Sequence, residues 1–272
     1  MNLILIILCY GVHAIGYVLA QREESRYGDN VPIFYSLRSV LDVFYTRPNA
    51  GRPDTQKILY AFENYCFSHF SKPLYKQRKP FIVVEGDHKT SIDIISRRLA
   101  RRIGATLLQS VAKCLQPYKR VFPQGDPLRR AFYGLSMYAI AHKVKQVYNR
   151  YPVVTNGYWI EQSVFGIGNQ FQTIEEIPPS GHPLYSWPDD LLKPDLIVYV
   201  TFPDNLHLTG TTRPPNAWKK RLEHIYRQIL DPPVVILSTA PGFDNVTADI
   251  EEIVQERFAG KLDVNFVPNE TI

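Results

Sequence analysis

From Pro80 onward the chain alternates short continuous apolar runs with longer amphipathic stretches. Phe81-Ile82-Val83-Val84, bounded by Pro80 and Gly86, reads as a strand buried on both faces. Residues 105–111, 152–155, 196–201 and 234–238 read as four further strands. Between them, residues 92–103, 128–148, 218–230 and 245–258 read as helices. In the first of these, Ile95 and Leu99 stand four apart, opposite an arginine-rich face. This alternation predicts an α/β fold with a five-stranded parallel sheet covered by helices on both faces. In such sheets ligands sit beyond the carboxyl ends of the strands, where the strand order switches. The segments after Val84, Thr155, Thr201 and Ser238 are therefore expected to line a site.

Before Pro80 the pattern differs. Residues 21–79 are polar, aromatic and interrupted by Pro48, Pro53 and Pro73, and read as an N-terminal extension without visible chemistry. Within them, 55–70 is expected to be one amphipathic helix with Ile58, Leu59, Phe62 and Cys66 on one side. Residues 1–20 contain no Lys, Arg, Asp or Glu, and Val18-Leu19-Ala20 then meets Gln21-Arg22-Glu23-Glu24. That is the pattern of a secretory signal with a small-residue cleavage site; a single membrane anchor and mitochondrial import are the alternatives. The expected division is a signal-like or anchor-like segment 1–20, the extension 21–79, a main domain 80–260 and a tail 261–272.

Composition narrows the function classes. The formal net charge of +5 suits an anionic ligand, but no Lys/Arg-rich run or aromatic–basic stripe points to a nucleic-acid polymer. The 3 cysteines, Cys9, Cys66 and Cys114, form no CxxC pair, which argues against a cysteine metal site and a disulfide framework. Whether Cys66 and Cys114 pair is left open by the sequence. Asn245-Val246-Thr247 and Asn269-Glu270-Thr271 have the N-glycosylation pattern, a triplet common by chance.

Several stretches resemble a known family. Phe81-Ile82-Val83-Val84-Glu85-Gly86 resembles the strand that opens thymidylate kinase-like nucleoside-monophosphate kinases. Leu128-Arg129-Arg130-Ala131-Phe132-Tyr133, His182-Pro183-Leu184-Tyr185-Ser186-Trp187-Pro188 and Asp190-Leu191-Leu192-Lys193-Pro194-Asp195 resemble the mitochondrial UMP/CMP kinase branch. The resemblance implies a P-loop kinase fold, ATP and Mg as cofactors, and phosphoryl transfer to a pyrimidine nucleoside monophosphate. It admits a homodimer, and a mitochondrial location as the alternative to the secretory one. Such transfer rests on positioning and on neutralising developing charge.

Position by position, the catalytic motifs depart from the family pattern. After Glu85-Gly86 the family has four variable residues and then Gly-Lys-Thr or Gly-Lys-Ser. Here those last three positions fall on Ser91, Ile92 and Asp93. The anion nest thus loses a glycine and a lysine, and a carboxylate, itself a candidate Mg ligand, takes the hydroxyl's place. Lys89 and Thr90 are the residues a shortened, shifted loop would use. The family's Asp-Arg-Tyr-Trp motif is matched by Asn156-Gly157-Tyr158-Trp159, without carboxylate or arginine. In the lid stretch 208–215, Arg213 is the candidate arginine. On the acceptor side Arg129, Arg130, Phe132 and Tyr133 persist. Phe132 taken alone reads as core, and His182, Tyr185 and Trp187 as packing residues. The expectation is a degenerate nucleoside-monophosphate kinase homologue, a pseudokinase that retains pyrimidine nucleotide binding. The alternative is an active kinase with a rearranged phosphate site.

Overall fold

The computed structural model describes residues 31–67, 78–203 and 216–262. The apolar segment 1–20, the lid stretch with Arg213, and Asn269 lie outside the described residues. The described residues from Phe34 onward form one compact unit. Among the described residues no helix is long and apolar enough to cross a membrane.

Two helices precede the sheet. Helix α1 (Leu37–Tyr45) is opened by a capping box in which the Ser36 and Ser39 side chains satisfy each other's backbone amides. It buries Val40 and Phe44, four apart, and packs on a later helix, α4 (Pro127–Val147). The chain before α1 is pinned as well: Trp159 Nε1 donates to the Phe34 carbonyl at 2.7 Å, and Leu37 N to Asp190 Oδ2 at 2.7 Å. Tyr138 binds the other oxygen of Asp190 at 2.6 Å, so one carboxylate fastens α1 to α4. Helix α2 (Pro53–Tyr65) has proline in its first turn, where no amide partner is needed, and ends earlier than the apolar pattern suggests. It stops at Cys66, which is disulfide-bonded to Cys114 in the short 3-10 turn Lys113–Tyr118.

The sheet comprises β1 (Phe81–Gly86), β2 (Thr106–Gln109), β3 (Val153–Asn156), β4 (Leu196–Thr201) and β5 (Val234–Ser238). All pairings are parallel, in the order β2-β3-β1-β4-β5. Strand alternation sends Ile82 and Val84 to one face, where Val154, Val198 and Val200 join them under α3 (Lys89–Arg102) and α7 (Phe243–Arg257). Phe81, Val83 and Glu85 point to the other face, with Tyr199 opposite Glu85 in register. There they meet α5 (Trp159–Gln170) and α6 (Ala217–Gln228) through Tyr158 and Tyr226. The order reverses around β1, so the crevice predicted for a ligand lies beyond the carboxyl ends of β1 and its neighbours.

The disulfide closes a loop with a sequence separation of 48 residues between α2 and the segment after β2. Closing a loop of that size stabilises a fold by about 2–4 kcal/mol, mainly by restricting the unfolded chain. Replacing both cysteines by serine is expected to lower the free energy of unfolding by that amount. Urea denaturation of the two proteins checks it, with unchanged unfolding midpoints as the contrary result.

Candidate functional site

The site is built around the last residues of β1. Gly86 is set by close approach of the next strand: a Cβ there would lie 2.3 Å from the Val200 carbonyl oxygen. Only Asp87 and His88 separate β1 from α3, which is helical from Lys89. Asp87 is held in place, its Oδ1 accepting from Phe202 N at 2.8 Å and its Oδ2 lying 3.5 Å from Lys219 Nζ. His88 is the N-cap of α3; its Nδ1 is hydrogen-bonded to Ser91 Oγ at 2.8 Å, and its ring lies against Phe202 at 4.5 Å. Ser91 is buried, and Ile92 packs against the core on the α3 side of the sheet. The positions matching the family's glycine and lysine thus lie within the first turns of a helix.

Asp93 and Asn156 are adapted to one another. Asn156 Nδ2 donates to Asp93 Oδ1 at 2.6 Å and to Gln109 Oε1 at 2.9 Å, while its Oδ1 accepts from Ser110 N at 2.8 Å. The amide therefore ties the end of β3 to α3 and to β2. A carboxylate at 156 would face the Asp93 carboxylate at hydrogen-bond distance, two like charges in one small space. Lys89 Nζ, largely exposed, lies 3.2 Å from Asp93 Oδ2, an i,i+4 pair of small energetic weight. Next in sequence, Gly157 has φ of 93° and a Cβ there would meet Glu161 Oε2 at 2.8 Å. Few side chains adopt that backbone, so an arginine at 157 would be strained in this turn.

Glu85 is fully buried and fastens three elements. Its Oε1 accepts from Tyr158 N at 3.0 Å and its Oε2 from the Tyr226 hydroxyl. The backbone N–H of Glu161 also reaches this carboxyl. No side chain of its own caps the N-terminus of α5, so the carboxyl of β1 supplies the cap. Burial, and then the neighbouring Glu161 charge, push the Glu85 pKa well above the usual carboxylate range, against the lowering effect of these hydrogen bonds. Burial raises Glu161 too, countered by the Lys89 charge. Among the described residues no group of three or more His, Cys, Asp or Glu is arranged to hold a metal ion. Asp93, the candidate Mg ligand, has Asn156 and Lys89 as its partners.

The acceptor-side candidates lie on α4. Phe132 is core, as its pattern suggests. Arg129 donates to the Phe122 carbonyl at 3.0 Å and stacks 5.6 Å from the Tyr133 ring centroid. Arg130 is different: its guanidinium lies 5.1 Å over Phe34, its Nε has no hydrogen-bond partner, and burial lowers its pKa. Tyr185 and Trp187 serve internal contacts, their donors going to the Pro178 and Leu191 carbonyls. The sequence reading missed Tyr226 and Glu161 as members of the Glu85 cluster. A tyrosine on an amphipathic helix and a glutamate in a first turn carry no motif, so only the packing identifies them.

The Glu85 cluster has a definite pH signature. A carboxyl whose folded pKa is raised binds more protons in the folded state than in the unfolded chain. Its stabilising contribution is complete below the ordinary carboxylate pKa of about 4.3 and is lost as pH rises through the folded value. Glu85→Gln is expected to flatten this fall in stability with rising pH, read from urea midpoints across the range. Parallel pH profiles for variant and wild type would refute the assignment.

Comparison with known proteins supplies the context. No family model matches the chain. Human mitochondrial UMP-CMP kinase 2 is 24% identical over 203 residues, which are 69% of this chain and 45% of that protein. The chain therefore spans about half the length of the curated relative it matches. The solved structure of thymidylate kinase from Candida albicans superposes with a TM-score of 0.47 and 16% identity, over 66% of this chain and 92% of that one. The chain thus combines a five-stranded, all-parallel α/β sheet with a sequence similar to part of UMP-CMP kinase 2.

Proposed function

We propose that this chain is a pseudokinase: it keeps the fold and a pyrimidine nucleoside monophosphate site, and has lost phosphoryl transfer from ATP. One observation carries the reading. With only Asp87 and His88 between β1 and α3, too few residues remain to wrap a phosphate in a nest of backbone amides. The residues present do not fit ATP with Mg. Ile92 packs against the core where a lysine would reach phosphate, and Asp93 is engaged by Asn156 and Lys89. The changes also support one another. Asn156 suits Asp93, and Gly157 suits the turn that leads to the Glu85-capped helix. Such mutual fit is the mark of a settled alternative arrangement.

The acceptor side supports ligand binding. An arginine with a partly desolvated guanidinium and an unpartnered Nε suits a phosphate or another hydrogen-bond acceptor on a nucleotide. UMP or CMP, the substrates in the name of the human relative, is the proposed ligand class. The Cys66–Cys114 bond favours an oxidising secretory compartment over the mitochondrial alternative. The second reading, an active kinase with a rearranged phosphate site, draws on Lys89, exposed at the start of α3 beside Asp93.

A coupled assay with ATP, Mg and UMP, CMP or dTMP is expected to show no phosphoryl transfer above the uncatalysed rate. Sustained turnover that disappears in Lys89→Ala would establish the active reading instead. Binding is tested separately. UMP or CMP is expected to raise the melting temperature, and Arg130→Met to weaken that binding by roughly ten- to more than a hundredfold, the loss of one charge-assisted hydrogen bond of about 1.5–3 kcal/mol. Absence of a shift with every monophosphate tested sinks the binding part.

A further inference from the structure

We propose that Asn245 carries an N-linked glycan, added before the domain has folded. The inference rests on the oxidising compartment proposed above. Its first element is the acceptor triplet Asn245-Val246-Thr247, which alone decides little. The second is where the fold puts it.

Asn245 stands in the first turn of α7 with its side chain exposed. Val246, Ile250 and Val254 turn inward to the sheet, while Asp244, Asn245, Ala248 and Asp249 face outward. Asn245 Nδ2 donates one hydrogen to the Pro241 carbonyl at 2.9 Å. Its amide nitrogen carries two, so a sugar can replace the second without loss of that bond. A glycan here displaces no packed group.

Thr247 sets the order of events. Its side chain is fully buried and its Oγ1 donates to the Phe243 carbonyl at 2.6 Å. The hydroxyl that completes the acceptor triplet is locked inside the folded helix, so transfer must precede the packing of α7. In the reaction, Asn245 Nδ2 attacks the anomeric carbon of a lipid-pyrophosphate-linked oligosaccharide. The N–C bond forms as the C–O bond to pyrophosphate breaks; lipid pyrophosphate leaves, and the displaced amide proton passes to base. The third element is the Cys66–Cys114 disulfide, which belongs to compartments where this chemistry takes place.

The position has a consequence for the site. Asn245 is bonded to the loop that leaves β5, at the same end of the sheet as Gly86 and Asn156. A glycan there adds hydrophilic bulk at the rim of the crevice.

The test expresses the full chain, with its own N-terminus, in cells that have a secretory pathway. The denatured protein is resolved by gel with and without peptide N-glycosidase, and its thiols are titrated in parallel. One glycosidase-sensitive mobility step is expected to be lost completely in Asn245→Gln and kept in Thr247→Ser, with Asn269→Gln identifying any second step. An oxidised Cys66–Cys114 pair with identical mobility for wild type and Asn245→Gln overturns the glycan and leaves the compartment standing. Two free thiols with no glycan overturn both.

Discussion

The structure depends on one buried carboxyl. Glu85, one residue before the end of the central strand, points to the face opposite Ile82 and Val84, and there it meets the Tyr158 amide at the start of α5 and the hydroxyl of Tyr226 on α6. Desolvating such a group is costly unless hydrogen bonds compensate, and leaving its partners unmet would be costly as well. The arrangement succeeds because each side needs the other: the helix lacks a cap of its own, and the carboxyl lacks water. Strand, capped helix and α6 are thereby fixed in one geometry at the end of the sheet where a ligand would sit.

That geometry links residues at distant sequence positions. The turn into α5 has positive φ at 157, which suits glycine and would strain an arginine. One residue earlier, Asn156 spends its amide on Asp93, Gln109 and Ser110, a network that a carboxylate would break by repulsion with Asp93. After β1 the helix begins at Lys89, and its first apolar residue, Ile92, packs against the core. Each of these residues fits the packing around it.

The parts outside the sheet follow the same logic of cross-linking. Phe34 is bonded to Trp159, Leu37 and Tyr138 share Asp190, and Cys66 is joined to Cys114. These ties fix α1 and α2 to a sheet whose own helices already cover both faces. They also bring Phe34 under Arg130, so that the extension contributes to the surroundings of an arginine whose Nε has no hydrogen-bond partner.

Much of the fold was legible from periodicity. The strands Leu196–Thr201 and Val234–Ser238 coincide with their apolar runs, and the other strands and the four helices read from periodicity agree within a few residues at their ends. Continuous apolar runs and i,i+4 spacing report burial directly, and burial is what a parallel sheet between helices demands. The same direct reading located Glu85, Gly86, Asn156 and Gly157 at strand ends. Helices α1 and α5 escaped it because their starts are set by Ser36 with Ser39 and by Glu85, the latter 73 residues away from the Tyr158 amide it accepts. Only the tertiary structure decided that Cys66 and Cys114 pair, that Asn156 and Asp93 answer one another, and that Arg130 lies over Phe34. A sequence encodes local period and residue type, whereas the partner of a buried polar group is chosen by whichever distant donor or acceptor the packed sheet brings within reach.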